Sequence, residues 1–353
     1  MLFSKPKEVV GLDIGSSLLK AVQLREGPKG FHLEKFGVMP LAPEIIVDGT
    51  IIDASRVIES IGNLFKELKI KTKNVAISVS GHASVIIKRV TIPEMTEEEL
   101  SESIRWEAEQ YVPFSIDEVE LDFQILSPSK AGSGQMEVLL VAVKKDKIND
   151  YVSATTGAGL SPVVVDVDAF AIENMYELNY EPDIGKNIAL VNIGASTMNM
   201  NIMKEGISLF TRDSSMGGNQ FTEAIQKEFG LSFEDAEKVK KGEDVPGVSS
   251  QEVDSIIENL SRDIASEISR SFDFFKSTMV GEDVEKVILS GGCAKLKGLA
   301  SILSESLRSV IIVADPFKNI QIDQKAFDMG YIHENAPMSA VAVGLAIRRA
   351  GDR

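Results

Sequence analysis

The sequence has a single cysteine, Cys293. That excludes an internal disulfide and any cysteine-based metal cluster, and it fits a reducing compartment. The three histidines, His32, His82 and His333, are widely separated, which argues against a zinc site or a histidine-based triad. Basic residues are in the minority: 37 Lys and Arg face 53 Asp and Glu, for a formal net charge of −16. Nucleic acid is therefore not expected as the main partner, because neutralising phosphate takes clustered Lys and Arg. No apolar run approaches the ~20 residues that cross a bilayer. The opening Met1–Lys7 stretch carries charge but leads into no long apolar region. Neither a signal peptide nor direct membrane insertion is expected. What remains, 353 residues of which 44% are hydrophobic, is enough for two or more cores.

The most informative stretch is Val9-Val10-Gly11-Leu12-Asp13-Ile14-Gly15-Ser16-Ser17-Leu18-Leu19-Lys20. Apolar, β-favouring residues run into a tight turn, and alternation resumes through Leu24. The simplest structure is a β-hairpin whose turn suits phosphate. Gly15 allows close approach of backbone N–H groups. Ser16 and Ser17 bring hydroxyl donors, and Lys20 brings a positive charge. Asp13 would repel a bare phosphate, so it points to Mg²⁺, bound directly or through water. An ordinary Gly-Ser hairpin turn reads equally well from these residues alone.

Residues 9–14, 18–24 and 31–38 are predicted as a three-stranded meander. An amphipathic helix over 55–69 and a buried strand over 75–79 follow. Residues 85–150 read as a small insert of one strand, one helix and two strands. Thr96-Glu97-Glu98-Glu99 forms a capping box ahead of the insert's helix. The stretch from Ser127 to Gly134 reads as a hairpin tip. Apolar Ile104, Tyr111, Val112 and Phe114 suit either a groove or, more simply, the insert's own core. A strand over 163–165 and a helix over 169–178 complete the first half.

At Lys186 the pattern restarts. Ile188 to Ile202 repeats an apolar strand, then Asn192-Ile193-Gly194-Ala195-Ser196-Thr197, then a second apolar strand. Asn192 aligns with Asp13, so the chain reads as an internal duplication with two facing hairpins. Gly217-Gly218 leads into a further helix, and Gln251 to Met279 forms a long amphipathic one. The strand from Val284 ends in Gly291-Gly292-Cys293, where glycine lets backbone lie flat against a base or sugar. Cys293 reads as a small packing residue. Gly344, in an apolar helix over 339–349, suits close packing of helix on sheet.

Asp-Ile-Gly-Ser-Ser with Lys20, Asn-Ile-Gly-Ala-Ser-Thr and Gly-Gly-Cys-Ala thus stand in order across nearly the whole chain. This order resembles the actin, Hsp70 and sugar-kinase superfamily of ATP-binding proteins. The resemblance implies an α/β fold of two ribonuclease H-like (actin-like ATPase) domains with ATP or ADP and Mg²⁺ in the cleft. One core subdomain would span 1–84 and 151–185, with the insert at 85–150. The other would span 186–212 and 284–353, with a helical, adenosine-side subdomain at 213–283. Nucleotide contacts are then expected from Asp13, Gly15, Ser16, Ser17 and Lys20, and from Asn192, Gly194, Ala195, Ser196 and Thr197. They are also expected from Gly217, Gly218, Gly291, Gly292 and Cys293. Glu223 and Lys227, one helical turn apart, match the acid and lysine that flank adenosine, although a surface ion pair has the same spacing.

Mg²⁺ is expected at Asp13 and Asn192 through water. Asn in place of the usual Asp weakens the acid set, so at most slow ATPase activity is expected. Asp13, with Asp166 or Asp168, is the candidate catalytic acid. Asp166 and Asp168 equally suit capping of the helix near Ala169, the slightly favoured reading.

The position of the insert, Ile92-Pro93, Glu109 to Phe114 and Val165 to Ala171 narrow the resemblance to the PilM family of type IV pilus assembly, relatives of cell-division FtsA. That family resemblance implies a cytoplasmic scaffold at the inner face of the inner membrane. It would bind the N-terminal cytoplasmic peptide of PilN between the first subdomain and the insert. The motor ATPase and platform protein of the pilus are the further partners implied. The alternatives are an FtsA-like filament-forming division protein and a small-molecule kinase.

Overall fold

The computed structural model describes residues 9–127, 134–279 and 282–352. Its strands are β1 (Val10–Ile14), β2 (Leu18–Gly27), β3 (Gly30–Pro40), β4 (Ile46–Val47), β5 (Thr50–Ile51), β6 (Asn74–Val79), β7 (Val85–Pro93), β8 (Val119–Ser127), β9 (Gln135–Lys144), β10 (Ser161–Val167), β11 (Asn187–Ile193), β12 (Met198–Lys204), β13 (Ile207–Ser214), β14 (Val284–Ser290) and β15 (Val310–Val313). Its helices are α1 (Ala54–Glu67), α2 (Glu97–Ala108), α3 (Lys145–Gly157), α4 (Asp168–Asn179), α5 (Gly218–Phe229), α6 (Phe233–Lys240), α7 (Ser250–Thr278), α8 (Leu299–Leu307), α9 (Met329–Asn335) and α10 (Ala340–Ala346).

Two five-stranded sheets repeat one another, in the orders β10-β6-β1-β2-β3 and β15-β14-β11-β12-β13. Each opens with an antiparallel meander and adds two parallel strands beside its first strand. The expected duplication is therefore present in topology as well as in sequence. Apolar runs such as Val75–Val79 are buried because helices cover both sheet faces.

Helices α4 and α10 run between the sheets. Ile172 and Met175 of α4 share one core with Val341 and Leu345 of α10, Val22 of β2, Leu190 of β11 and Ile288 of β14. The close approaches here depend on missing side chains. A Cβ on Gly11 of β1 would lie 2.1 Å from the Ala342 carbonyl oxygen. A Cβ on Gly344 would lie 1.6 Å from the Ala171 carbonyl oxygen. Gly344 thus permits helix-on-helix contact, and Gly11 is the glycine that lets helix meet sheet.

The insert is the antiparallel sheet β7-β9-β8 with α2 packed on it. The capping box forms: the Glu99 N–H donates to Thr96 Oγ1 at 3.2 Å, and the Thr96 N–H donates to Glu99 Oε2 at 2.7 Å. Ile104 and Val112 belong to the insert's core, and Tyr111 and Phe114 pack against it. Of the expected hairpin tip, residues 128–133 lie outside the described residues. The insert also reaches the second sheet, where the Thr211 hydroxyl of β13 donates to the Ile87 carbonyl at 3.3 Å.

A polar clasp joins the halves beside α4. The Asn201 amide of β12 donates to Glu173 Oε2 at 2.7 Å, and the Ser208 hydroxyl donates to Asn201 Oδ1 at 2.7 Å. Burial pushes the Glu173 carboxyl up to about 7, against the Asn201 hydrogen bond, and neighbouring Glu177 and Asp166 add to the rise. The folded state thus binds this proton more tightly than the unfolded chain. Its contribution to stability is full below the unfolded carboxyl pKa, falls as pH rises towards about 7, and is absent above. Glu173→Gln, neutral and still an acceptor, is expected to flatten the decline of the thermal midpoint between pH 5 and 8. It should also raise the midpoint at pH 8. A profile unchanged from the parent would show that Glu173 does not titrate there.

Candidate functional site

The two meander turns face each other across a cleft of about 930 Å³. In the first, the Gly15 N–H donates to the Leu18 carbonyl at 3.1 Å; in the second, the Gly194 N–H donates to the Thr197 carbonyl at 2.9 Å. The two turns are closed by the same bond, which engages each glycine's own N–H. No hydrogen bond within the described residues engages the Ser16, Ser17 or Thr197 hydroxyl. Ser196 Oγ accepts from the Asn219 amide at 3.3 Å.

Behind each turn lies a cross-strand pair. Asp13 stands opposite Lys20, whose ammonium donates to Asp13 Oδ2 at 2.9 Å. Burial pushes the Asp13 carboxyl up, the Lys20 charge opposes this, and Asp168 adds to the rise. In the second hairpin, Asn192 stands opposite Asn199, and its amide donates to Asn199 Oδ1 at 3.2 Å. Asn192 Oδ1 also accepts from the Ser290 hydroxyl at 3.3 Å, so both ends of the Asn192 amide bind protein. An ion pair in one half has an amide pair as its equivalent in the other. Asn199 donates in turn to Asp213 Oδ1 at 2.9 Å, and Asp213 Oδ2 accepts the Gly81 N–H at 2.7 Å. This chain of bonds crosses from the second sheet to the loop after β6.

Asp13, Gly15, Ser16, Ser17, Lys20, Asp168, Asn192, Gly194, Ala195, Ser196, Thr197, Gly218, Gly291, Gly292 and Cys293 all line the cleft. Gly217 lies behind it, where a Cβ would sit 2.5 Å from the Ala195 carbonyl oxygen. The Gly218 and Asn219 N–H groups, at the start of α5, donate to the Gly194 and Ala195 carbonyls at 2.9 and 2.8 Å. Gly291 has φ +91°, and a Cβ there would lie 2.3 Å from the Ile193 carbonyl oxygen, so its bareness serves the approach of β11. Gly292 faces open space. The Cys293 thiol donates to the Gly194 carbonyl at 3.4 Å, and burial pushes it up to about 12, as suits an unreactive packing residue.

Three expectations need correction. Glu223 and Lys227 are exposed and do not line the cleft. Phe221, Thr222 and Ile225 hold the inner face of α5 and turn that pair outward. An acid and a lysine of the neighbouring helix, Glu237 and Lys240 of α6, do line the cleft. Lys240 Nζ is bonded to Glu237 and donates to Thr222 Oγ1 at 2.8 Å and the Gly218 carbonyl at 3.2 Å. Second, Asp166 is outside the cleft. Its carboxylate faces Arg348 Nη1 at 3.2 Å and accepts the Val167 N–H at 2.8 Å. Third, neither aspartate caps α4, whose N-cap is Val167 without a side-chain bond. Asp168 instead faces the cleft and accepts the Ser78 hydroxyl at 2.6 Å.

Sequence reasoning also missed the floor beside Asp168. There the Tyr151 hydroxyl donates to the Gly49 carbonyl at 2.8 Å, and Lys147 donates to the same oxygen. Burial pulls the Lys147 ammonium down, with Asp168, Asp150 and Asp213 opposing. The contact joins residues about a hundred positions apart, so no local signal marks it. Glu237 and Lys240 did leave one: an i, i+3 pair in a helix capped by Ser232.

Among the described residues, no helix is long and apolar enough to cross a membrane, and no three His, Cys, Asp or Glu come together to hold a metal. The fold is shared with ethanolamine utilization protein EutJ from Carboxydothermus hydrogenoformans at TM-score 0.57 and 15% identity, over 98% of this chain and 90% of that one. It is also shared with MreB5 of Spiroplasma citri bound to ADP, at TM-score 0.53 and 13% identity, over 96% and 94%. These likenesses establish an actin-like architecture. A chain from a PilM-PilN type IV pilus biogenesis complex is far more similar, at TM-score 0.85 and 31% identity over 98% of this chain and 99% of that one. The family model for type IV pilus assembly protein PilM matches residues 11–350. With that match spanning both sheets, the insert and the cleft, the chain belongs to the PilM family of type IV pilus assembly proteins.

Proposed function

We propose that the cleft holds ATP or ADP with Mg²⁺ and that the nucleotide fixes the angle between the two sheets. In this reading the chain is a scaffold that binds the N-terminal cytoplasmic peptide of PilN and is thereby recruited to the inner face of the inner membrane. The observation that carries the reading is the pair of equivalent turns, closed by the same bond, facing each other with open hydroxyls. The solved relatives support it: one is a PilM-PilN complex, and the MreB5 structures are bound to ADP and AMPPNP.

Ser16, Ser17 and Thr197 would donate to phosphate oxygens, with Lys20 supplying charge. Glu237 and Lys240 would take the ribose side. Mg²⁺ needs no all-protein cage, since it binds through one or two carboxylates, water and phosphate oxygens. Asp13 and Asp168 are the cleft carboxylates that fit this need, and Asn192, held at both ends by protein, is not. Held by these residues, the ion would supply neutralising charge for the phosphates. Asp168, which lines the cleft, would orient water, and without a second hairpin acid turnover is expected to be slow.

A synthetic PilN N-terminal peptide is the direct probe. Its affinity for the purified protein, followed by anisotropy, is expected to rise at least ~5-fold with saturating MgATP, since a ligand that favours one arrangement shifts the population towards it. Equal affinity with and without nucleotide would remove the link between cleft and peptide. Absence of peptide binding would remove the scaffold role.

A further inference from the structure

The chain has one tryptophan, and it is 74% exposed. Trp106 lies on α2, whose inner face is filled by Leu100, Ile104 and Ala108. Core packing therefore does not explain the indole, and a large aromatic ring left in water forgoes the burial that normally favours it. The ring borders a shallow hollow with Glu94, Met95, Glu99, Glu102 and Ser103. Glu99, Glu102, Ser103 and Trp106 follow helical spacing, so they form one stripe along α2.

The charge of this stripe is uniform. Arg105, the basic residue of α2, is turned away and bonded to Asp117 at 2.6 Å. Glu99 is fixed in place by the capping box, whose Thr96 N–H and hydroxyl hold its carboxyl below the usual range. Met95 is held from below, where the Ser103 hydroxyl meets its sulfur at 3.4 Å. The hollow sits at the Pro93 end of β7. The chain joins the first sheet's elements at the opposite end, where Val85 pairs with Val143. It is thus remote from the junction between the insert and the first sheet.

We propose that this hollow docks a lysine- or arginine-bearing segment of a partner protein. An indole face flanked by carboxylates suits a cation better than any other group. The ring's quadrupole attracts the cation, and tryptophan does this best among the aromatics. The aliphatic stem of Lys or Arg lies along the ring and Met95, while its head reaches Glu94, Glu99 or Glu102. The same acids repel nucleic acid and anionic lipid headgroups.

Trp106 reports on its own site, because all indole emission of the chain comes from it. The full chain is titrated with Ac-Arg-Leu-Arg-Arg-Leu-Arg-amide and, separately, with its Glu-for-Arg counterpart. Saturable change of emission with the basic peptide alone is expected. The triple variant E94Q/E99Q/E102Q is expected to weaken that binding about 10-fold, the sum of three modest charge contacts. The E99Q change retains the capping-box bond, because glutamine serves at that position as glutamate does, so α2 is kept. The charge-matched control E59Q/E67Q/E181Q, made at exposed acids elsewhere, is expected to stay within about 2-fold, a difference under 0.5 kcal/mol. Absence of saturation, equal response to the acidic peptide, or equal weakening in both triples would overturn the proposal.

Discussion

Gly344→Ala is expected to destabilise the protein strongly. The added methyl would lie 1.6 Å from the Ala171 carbonyl oxygen, and both partners are helix backbone. No side chain can rotate away, so α4 and α10 must separate. Overpacking of this kind costs about 3 kcal/mol or more, which lowers the thermal midpoint by about 4 °C or more in a chain of this size. The damage falls where both sheets share one core, so the loss should appear as one transition for both halves. Gly292→Ala is the control. It adds the same methyl to open space and should move the midpoint by less than about 1 °C. Equal midpoints for Gly344→Ala and the parent would show that the helices have room that the backbone geometry denies them.

Lys20→Ala carries the second large effect, on both stability and binding. Lys20 and Asp13 are each largely buried, and removing the ammonium strands a carboxylate between Asp168 and the turn. Breaking such a pair costs about 3–5 kcal/mol, moderated where Asp13 takes up a proton. The second hairpin supplies the rescue, since Asn192 and Asn199 occupy the equivalent positions without charge. The double change D13N/K20N is therefore expected to recover most of the stability lost in Lys20→Ala. It should not recover nucleotide affinity, because both charges are gone. Urea midpoints and MgATP titrations of the parent, the single and the double variant separate the two effects. A double variant as unstable as the single one would deny that the hairpins are interchangeable at this register.

The doubled meander was legible because its signal is local. A strand, an Ile-Gly turn and a strand recur as contiguous text, and register follows from the turn. The capping box at Thr96 was legible for the same reason. Asp13 and Lys20 were legible as cleft residues but not as partners to each other, although their antiparallel register sets them face to face. Glu223 and Lys227 show what spacing leaves open. Residues four apart share a helix face, but the sequence does not say which face meets the cleft. Phe221 and Ile225 settle that by burying the opposite side. Asp166 and Asp168 diverge because the helix begins between them: the strand residue is held by Arg348, and the first helical residue turns to Ser78. Lys147, Tyr151 and Gly49 meet only through tertiary structure, and no stretch of sequence announces them.

The central claim is that the two turns and the α6 pair hold one nucleotide between the sheets. Calorimetric titration of MgATP into the parent, Lys240→Met and Lys227→Met tests it most directly. The expected result is one saturable site per chain, about 10-fold weaker in Lys240→Met, the loss of one charged contact, and unchanged in Lys227→Met. No saturable binding by the parent, or weakening in Lys227→Met with Lys240→Met unaffected, would contradict it.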